Sequence, residues 1–486
     1  MSSSSLPTPI NAELQLQPVP PHSQESHHDG SIHNASAQYS DDTPETAVDA
    51  RQKWNSSRTN VLRLSAVFWA FLVQGSNDAA YGAIIPYLES DYQLNYTIVS
   101  LVFFSPFGGY LTAAILNNWV HHTFGHRGIA FLGPISHLIA YVGIACHPPY
   151  PVLVVFFLFA GFANALQGAA WNAWVGGLAN PNEILGLLHG VYGTGAVLSP
   201  LVATSLITKG GWEWYMFYYL MIGAAAIEAA TSIFSFWSAS GAEFRSASSS
   251  SSGSGGLFKQ TLSLRVCWIA AIFLLGYVGV EVALGGWLVV FMIRERSGEA
   301  FDSGMVATGF WVGITVGRMV LGFVTPRIGE KNAVTMYVPA AIGLQLLFWL
   351  VPQFAVSAVA VALEGFFLGP LFPAVVVTTT KLLPVRLHVS AIGFAAALGG
   401  GGSALFPFAV GMLAQAKGVQ VLQPIIVALL AAILAVWLML PRIKKRSEAD
   451  DVEGGRAASG VVTWRKNLGT YVERGRRTCT KLLKVR

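Results

Sequence analysis

Long apolar runs alternate with short polar breaks from about residue 64 to residue 440. Each run is close to the ~20 residues that a helix needs to cross a bilayer. The pattern predicts spans at 64–88, 98–118, 128–146, 152–174, 185–208 and 214–237, then at 266–292, 304–324, 333–351, 355–379, 387–414 and 421–440. Between the two sets lies Ser248-S-S-S-S-G-S-G-Gly256, a flexible linker by composition. Residues 1–60 are polar, rich in Ser, His, Pro and Gln, and without periodicity, as in a disordered tail. They lack the basic start and short apolar core of a signal peptide, so the first span must also target the chain.

The expected organisation is a cytoplasmic tail (1–60), a six-helix bundle (61–240), a linker (241–263), a second six-helix bundle (264–442) and a basic tail (443–486). Composition agrees. The 486 residues are 53% hydrophobic and 11% charged, whereas soluble proteins carry about 25% charged residues. The net charge of +5 does not indicate a nucleic-acid partner, because the cations sit in tails and alternate loops. Cys146, Cys267 and Cys479 form neither a disulfide framework nor a metal spacing.

The loops set an orientation. One side carries Arg63, Arg127, Arg265, Arg327, Lys331, Lys381 and the basic run at 442–446; the other carries Lys209, Arg294, Arg296 and Lys417. The positive-inside rule then puts both termini in the cytoplasm.

The two halves repeat each other. Asp78-A-A-Y-Gly82 matches Glu281-V-A-L-Gly285 at an offset of 203; F-Gly125-H-R matches I-Gly329-E-K at 204; Gly195-A-V-L-S-Pro200 matches Gly402-S-A-L-F-Pro407 at 207. The predicted fold class is an all-α polytopic membrane protein of twelve transmembrane helices in two pseudo-symmetric six-helix bundles. This is the parallel-repeat plan of a secondary transporter.

At this point a resemblance can be named. Over roughly 61–442 the chain resembles a major facilitator superfamily transporter. The loop signature of that superfamily is degenerate between spans 2 and 3, where Gly109 and F-G-H-Arg127 remain. It is better kept as Gly317-R-M-V-L-G-F-V-T-P-R-I-G-E-Lys331. The Gly/Pro signature of span 5 is similar to Leu188-H-G-V-Y-G-T-G-A-V-L-S-Pro200. Within the superfamily the chain is similar to the fucose-permease-like group, especially its fungal members of the bypass-of-stop-codon type. The supporting residues are Asn77-Asp78, Ala165-L-Q-G-A-A-W-N-Ala173, Leu188-H-G-V-Y-Gly193 and Gly279-V-E-V-A-L-G-G-Trp287. In the bacterial sugar permease of that group, an Asp of span 1 and a Glu of span 4 handle proton and sugar. Asp78 matches the first, while the second position holds Gln167, which cannot titrate.

An acidic residue within a span costs about 3 kcal/mol or more and marks a functional site by default. Asp78, its pseudo-symmetric partner Glu281, and Glu364 are therefore the candidate proton-coupling residues. The alternative for Asp78 is a structural carboxylate bound to a neighbouring helix, and for Glu281 a polar tie between spans 7 and 11. Glu228 in span 6 reads as structural or interfacial. Asn164, Gln167 and Trp171 lie at i, i+3 and i+7, on one face of span 4, with Asn172 beside them. With Asn77, His189, Tyr192 and Trp287 they make the candidate substrate-binding set, a mixture of apolar walls and a few hydrogen-bonding groups. Polar contacts between helices would explain the span 4 face equally well. Arg127, Arg318, Arg327 and Lys331 read as gating residues that clamp cytoplasmic helix ends.

The leading expectation is a secondary active transporter moving a small organic solute by alternating access, coupled to protons. The resemblance favours symport of a sugar-like solute. The other expectations are proton antiport of an apolar metabolite and, in a different class, a sensor or scaffold that transports nothing. The chain has no G-x-x-x-x-G-K-[ST] loop for ATP, and no metal spacing or nucleophile elbow that would make an enzyme. The partners implied are the solute, the proton and membrane lipid, with no cofactor, and the chain acts as a monomer. The plasma membrane is the default location, with the vacuole or another organelle as the alternative. Nine Lys or Arg between Arg456 and Arg486, interspersed with Trp464 and Leu468, fit either a segment lying on the inner leaflet or a solvated tail.

Overall fold

A computed structural model describes residues 52–179, 181–242, 259–384 and 387–441. The serine-rich linker, the chain before residue 52 and the basic tail lie outside the described residues. Among the described residues twelve long helices follow one another. They are α1 (Arg58–Asp91), α2 (Tyr96–Phe124), α3 (His126–Ala145), α4 (Tyr150–Gly176), α5 (Pro181–Thr208) and α6 (Phe217–Phe236) in one half. In the other half they are α7 (Arg265–Glu295), α8 (Ala300–Ile328), α9 (Glu330–Leu350), α10 (Phe354–Leu382), α11 (His388–Lys417) and α12 (Leu422–Leu438).

Eleven of these are long and apolar enough to cross a membrane by length and composition. The twelfth, α1, is 34 residues long but carries Gln74, Asn77 and Asp78 in its middle. Its start shows why the tail ends before residue 60. The Ser57 side chain accepts the Asn60 backbone N–H at 3.1 Å, capping a helix that already runs from Arg58.

The repeat read from the sequence has a backbone basis at the short connections. Gly125 joins α2 to α3 with φ 69°, and Gly329 joins α8 to α9 with φ 84°. Both conformations favour glycine, which has no Cβ to clash. Helix α10 breaks where Gly369-Pro370 predicts irregularity: Phe354–Leu368 ends there and Leu371–Leu382 resumes.

Each half pairs its helices the same way: α1 with α5, α2 with α4 and α3 with α6, repeated as α7 with α11, α8 with α10 and α9 with α12. Close approach needs small residues. A Cβ on Gly75 would lie 2.0 Å from the Tyr192 carbonyl oxygen, and one on Gly402 would lie 2.0 Å from that of Leu275. Lipid tails offer no hydrophobic drive between helices, so such backbone contact carries the packing.

The halves meet through α1 with α7, α2 with α11 and α5 with α8. Their contacts gather at the helix ends remote from residues 52 and 441, here called the far face. There Tyr96 N–H donates to Gln415 Oε1 at 2.9 Å, Arg294 donates to Glu89 at 3.2 Å, and the Tyr96 ring meets the Trp287 edge with centroids 5.6 Å apart. The Lys209 ammonium sits 3.4 Å from the Phe301 ring centroid. Deeper in, a Cβ on Gly82 would strike the Gly285 carbonyl oxygen at 1.9 Å.

Candidate functional site

Three helices meet at Asp78, which is partly buried near the middle of α1. Its Oδ1 accepts the Asn164 side-chain amide of α4 at 2.8 Å and that of Asn77 at 3.1 Å. Its Oδ2 accepts the Tyr192 hydroxyl of α5 at 2.8 Å. Asn77 also donates to the Tyr81 hydroxyl at 3.0 Å, one turn along α1. The carboxylate is thus satisfied by neutral donors, the condition a charged group needs away from bulk water.

Behind Asn164 the network continues. Asn164 Oδ1 faces His137 Nε2 of α3 at 2.9 Å, and His137 Nδ1 faces Glu228 Oε2 of α6 at 2.9 Å. His137 and Glu228 are fully buried. Sequence spacing singles out Glu228 as structural but carries no sign of His137, because the two are 91 positions apart and meet only when α3 packs on α6.

The second half buries a polar cluster of its own. Gln345 of α9, Glu364 of α10 and Gln423 of α12 are buried together on the helices that match α3, α4 and α6. Turned so that its nitrogen serves the carboxylate, the Gln345 amide donates to Glu364 Oε2 at 2.8 Å and meets the Gln423 amide at 2.6 Å. The two clusters use equivalent helices but not equivalent positions: Glu228 lies midway along α6, whereas Gln423 sits in the first turn of α12.

Glu281 is not an isolated acid. Arg318 Nη2 of α8 donates to its Oε1 at 2.9 Å, and Arg318 Nε donates to the Gly369 carbonyl at 3.3 Å, at the break in α10. Motif position suggests that Arg318 clamps the cytoplasmic helix ends. The ion pair instead draws it inward, where a partly buried guanidinium needs a carboxylate. Tyr192 bonds Asp78 and lies within electrostatic reach of this pair in the other half.

The remaining candidates divide. Asn172 is partly buried and donates to the Gly168 carbonyl of its own helix at 2.8 Å. His189, partly buried, stands between Phe71 and Phe372, with centroids 5.8 and 6.4 Å away. Trp171 is fully buried, stacked on Phe236 with centroids 4.5 Å apart, and donates to Gln167 Oε1 at 3.2 Å. Trp287 is fully buried too and donates to the Pro407 carbonyl at 2.8 Å. An i, i+3, i+7 face places Gln167 and Trp171 toward a ligand. Packing turns both into the seam between α3, α4 and α6, since Gly133 leaves room for the Gln167 side chain.

Of the other cations, Lys331 donates to the Leu440 carbonyl just past α12. Arg127 donates its backbone N–H to Ala239 at 3.0 Å and lies over the Trp237 ring, 5.5 Å from its centroid. Both tie ends within one half. Arg327 is exposed. Two groups that sequence spacing does not flag lie by the centre: the Gln74 Nε2 and Trp311 Nε1 donors are buried without a partner.

A family profile described as Major Facilitator Superfamily matches residues 67–359 and 299–474. The chain belongs to the Major Facilitator Superfamily. It is 28% identical over 417 residues to bypass of stop codon protein 6 of Saccharomyces cerevisiae, covering 80% of this chain and 84% of that protein. It is 26% identical over 396 residues to a glucose/galactose transporter of Brucella abortus, covering 76% of this chain and 93% of that protein. In fold it matches the crystal structure of the Escherichia coli fucose:proton symporter with a TM-score of 0.56 at 15% identity, over 79% of this chain and 100% of that one. The protein is an integral, multi-pass membrane transporter of this superfamily.

Proposed function

We propose that the protein carries a small, neutral, hydroxyl-rich solute across the membrane by alternating access, with a proton on Asp78 driving it. The observation that carries the reading is the ring of neutral donors around Asp78. Asn77, Asn164 and Tyr192 satisfy an ionised carboxylate from three helices without a cation. Such a group can take and release a proton as its surroundings change. The names of relatives, a glucose/galactose transporter and a fucose:proton symporter, support a sugar-like solute.

With both termini in the cytoplasm, the far face is the outer side. The Tyr96–Gln415, Arg294–Glu89 and Tyr96–Trp287 contacts then form the closed outer gate. Solute would enter from the outside only after they part. The half-buried Asn172 and His189 and the free donors of Gln74 and Trp311 are the groups best placed to bind hydroxyls. The buried Trp171, Gln167 and Trp287 support the walls. Glu281 acts as the counter-charge of Arg318, and Glu364 as the buried acid of the second half. The plasma membrane is the proposed location.

The test is proton flux in proteoliposomes. Purified protein is supplied with pooled sugars and, separately, pooled apolar metabolites, and internal pH is followed for the wild type and Asp78→Asn. Sugar-dependent acidification that the variant abolishes is the expected result. Equal solute movement by both proteins without proton flux overturns the coupling. Binding without counterflow would make the protein a sensor.

A further inference from the structure

The His137–Glu228 pair is buried, titratable and without a part in the scheme above. Its geometry nevertheless reaches Asp78, and the amide of Asn164 is the link. That amide has one donating end and one accepting end. Its Nδ2 donates to Asp78 Oδ1 at 2.8 Å, which turns its Oδ1 toward His137 Nε2 at 2.9 Å. An amide oxygen cannot donate, so Nε2 must carry a hydrogen. One further proton then lies between His137 Nδ1 and Glu228 Oε2, 2.9 Å apart. Whichever atom owns it, Nε2–H persists, and Glu228 fixes the tautomer as second partners of imidazoles commonly do.

The consequence falls on the two oxygens of Asp78. Oδ1 receives two amide N–H groups, from Asn77 and Asn164, and an amide nitrogen cannot reverse into an acceptor. Among the described residues Oδ2 meets only the Tyr192 hydroxyl, at 2.8 Å, and a hydroxyl donates or accepts by rotation. We propose that the His137–Glu228 pair is a positioning device for proton exchange: it locks Asn164, which holds Oδ1 of Asp78 as an acceptor and reserves Oδ2, beside Tyr192, as the oxygen that takes the proton.

The other titratable groups facing this unit are the phenols of Tyr81 (α1), Tyr110 (α2), Tyr141 (α3) and Tyr218 (α6), with the Arg318–Glu281 pair beyond Tyr192. Tyr141 stacks on the imidazole with centroids 5.3 Å apart.

The inference rests on Asp78 being the proton site, so the test measures protonation of Asp78 directly and needs no solute. Dicyclohexylcarbodiimide adds a protonated carboxyl across its C=N bond, and the acylisourea formed rearranges to a stable acylurea. Mass spectrometry of the Asp78 peptide then gives labelling against pH. Two double variants are compared with the wild type in lipid, each checked for monodispersity and thermal melting. The glutamine pair, His137→Gln with Glu228→Gln, removes both titratable groups and keeps an N–H toward Asn164. The leucine pair, His137→Leu with Glu228→Leu, removes that donor and frees the amide to turn.

The expected result is a labelling midpoint raised by about one pH unit in the leucine pair, because an ionised carboxylate loses a fixed donor, and unmoved in the glutamine pair. A wild-type midpoint in the leucine pair overturns the proposal. So does a shift of that size in the glutamine pair, which by itself keeps the test decisive where the leucine pair does not fold. Loss of proton flux with these labelling shifts intact would count against the transport reading alone.

Discussion

Arg318 and Glu281 form an ion pair at 2.9 Å inside the second half, with side-chain exposures of 16% and 8%. A buried pair is weak evidence of net stability, but breaking it leaves one charge without a partner, at about 3–5 kcal/mol. Glu281→Gln and Arg318→Met should therefore each lower the melting temperature strongly. The double variant should recover most of the loss. Melting curves of the three proteins in lipid nanodiscs check this, and equal losses in singles and double would exclude the pair as the cause.

Tyr192→Phe removes the single hydroxyl on Asp78 Oδ2 and little volume. A net hydrogen bond is worth about 0.5–1.5 kcal/mol, and somewhat more to a charged group. Proton-coupled uptake should fall by about ten-fold while the melting temperature stays near that of the wild type. Parallel flux and melting measurements decide between this and a structural role for the hydroxyl, in which both would fall together.

Gly82 allows α1 to touch α7, since its Cβ would lie 1.9 Å from the Gly285 oxygen. Gly82→Val should push the far ends of these helices apart. In a cysteine-free background, nitroxides on Ser90→Cys and Glu299→Cys, one on each half, should report a longer mean distance by electron–electron resonance than in the same protein with Gly82. An unchanged distance would show that the contact does not hold the far face shut.

Trp171 should matter for stability rather than affinity. Truncating a buried Trp costs about 3–5 kcal/mol, and the stacks on Phe236 and His126 would be lost. Trp171→Ala is expected to melt early, yet to bind solute with the affinity of the wild type in the fraction that remains folded. A large affinity loss at normal stability would return Trp171 to the binding surface.

The helices and their order were legible from one dimension. Apolar run length predicts segments that agree with the observed helices to within several residues, because the bilayer thickness and the 1.5 Å rise per residue leave little freedom. The repeat was legible too. Gly125 and Gly329 mark the same tight connection in both halves, and only a residue without Cβ holds those backbone angles cheaply. Asp78 stood out because an acid in an apolar run is costly and marks a functional site by default.

Which side chains Asp78 would meet was decided by tertiary structure alone. A sequence window cannot tell which of a helix's several faces packs against which neighbour. Asn164 turned out to join Asp78 to His137, while Gln167 and Trp171 on the same helix went into a packed seam. Arg318 went to Glu281, 37 positions away, because the packing of α8 beside α7 offered a carboxylate to a charge that lipid would not accept. Residue type set the cost of burying each group, and helix packing chose the partner that met it.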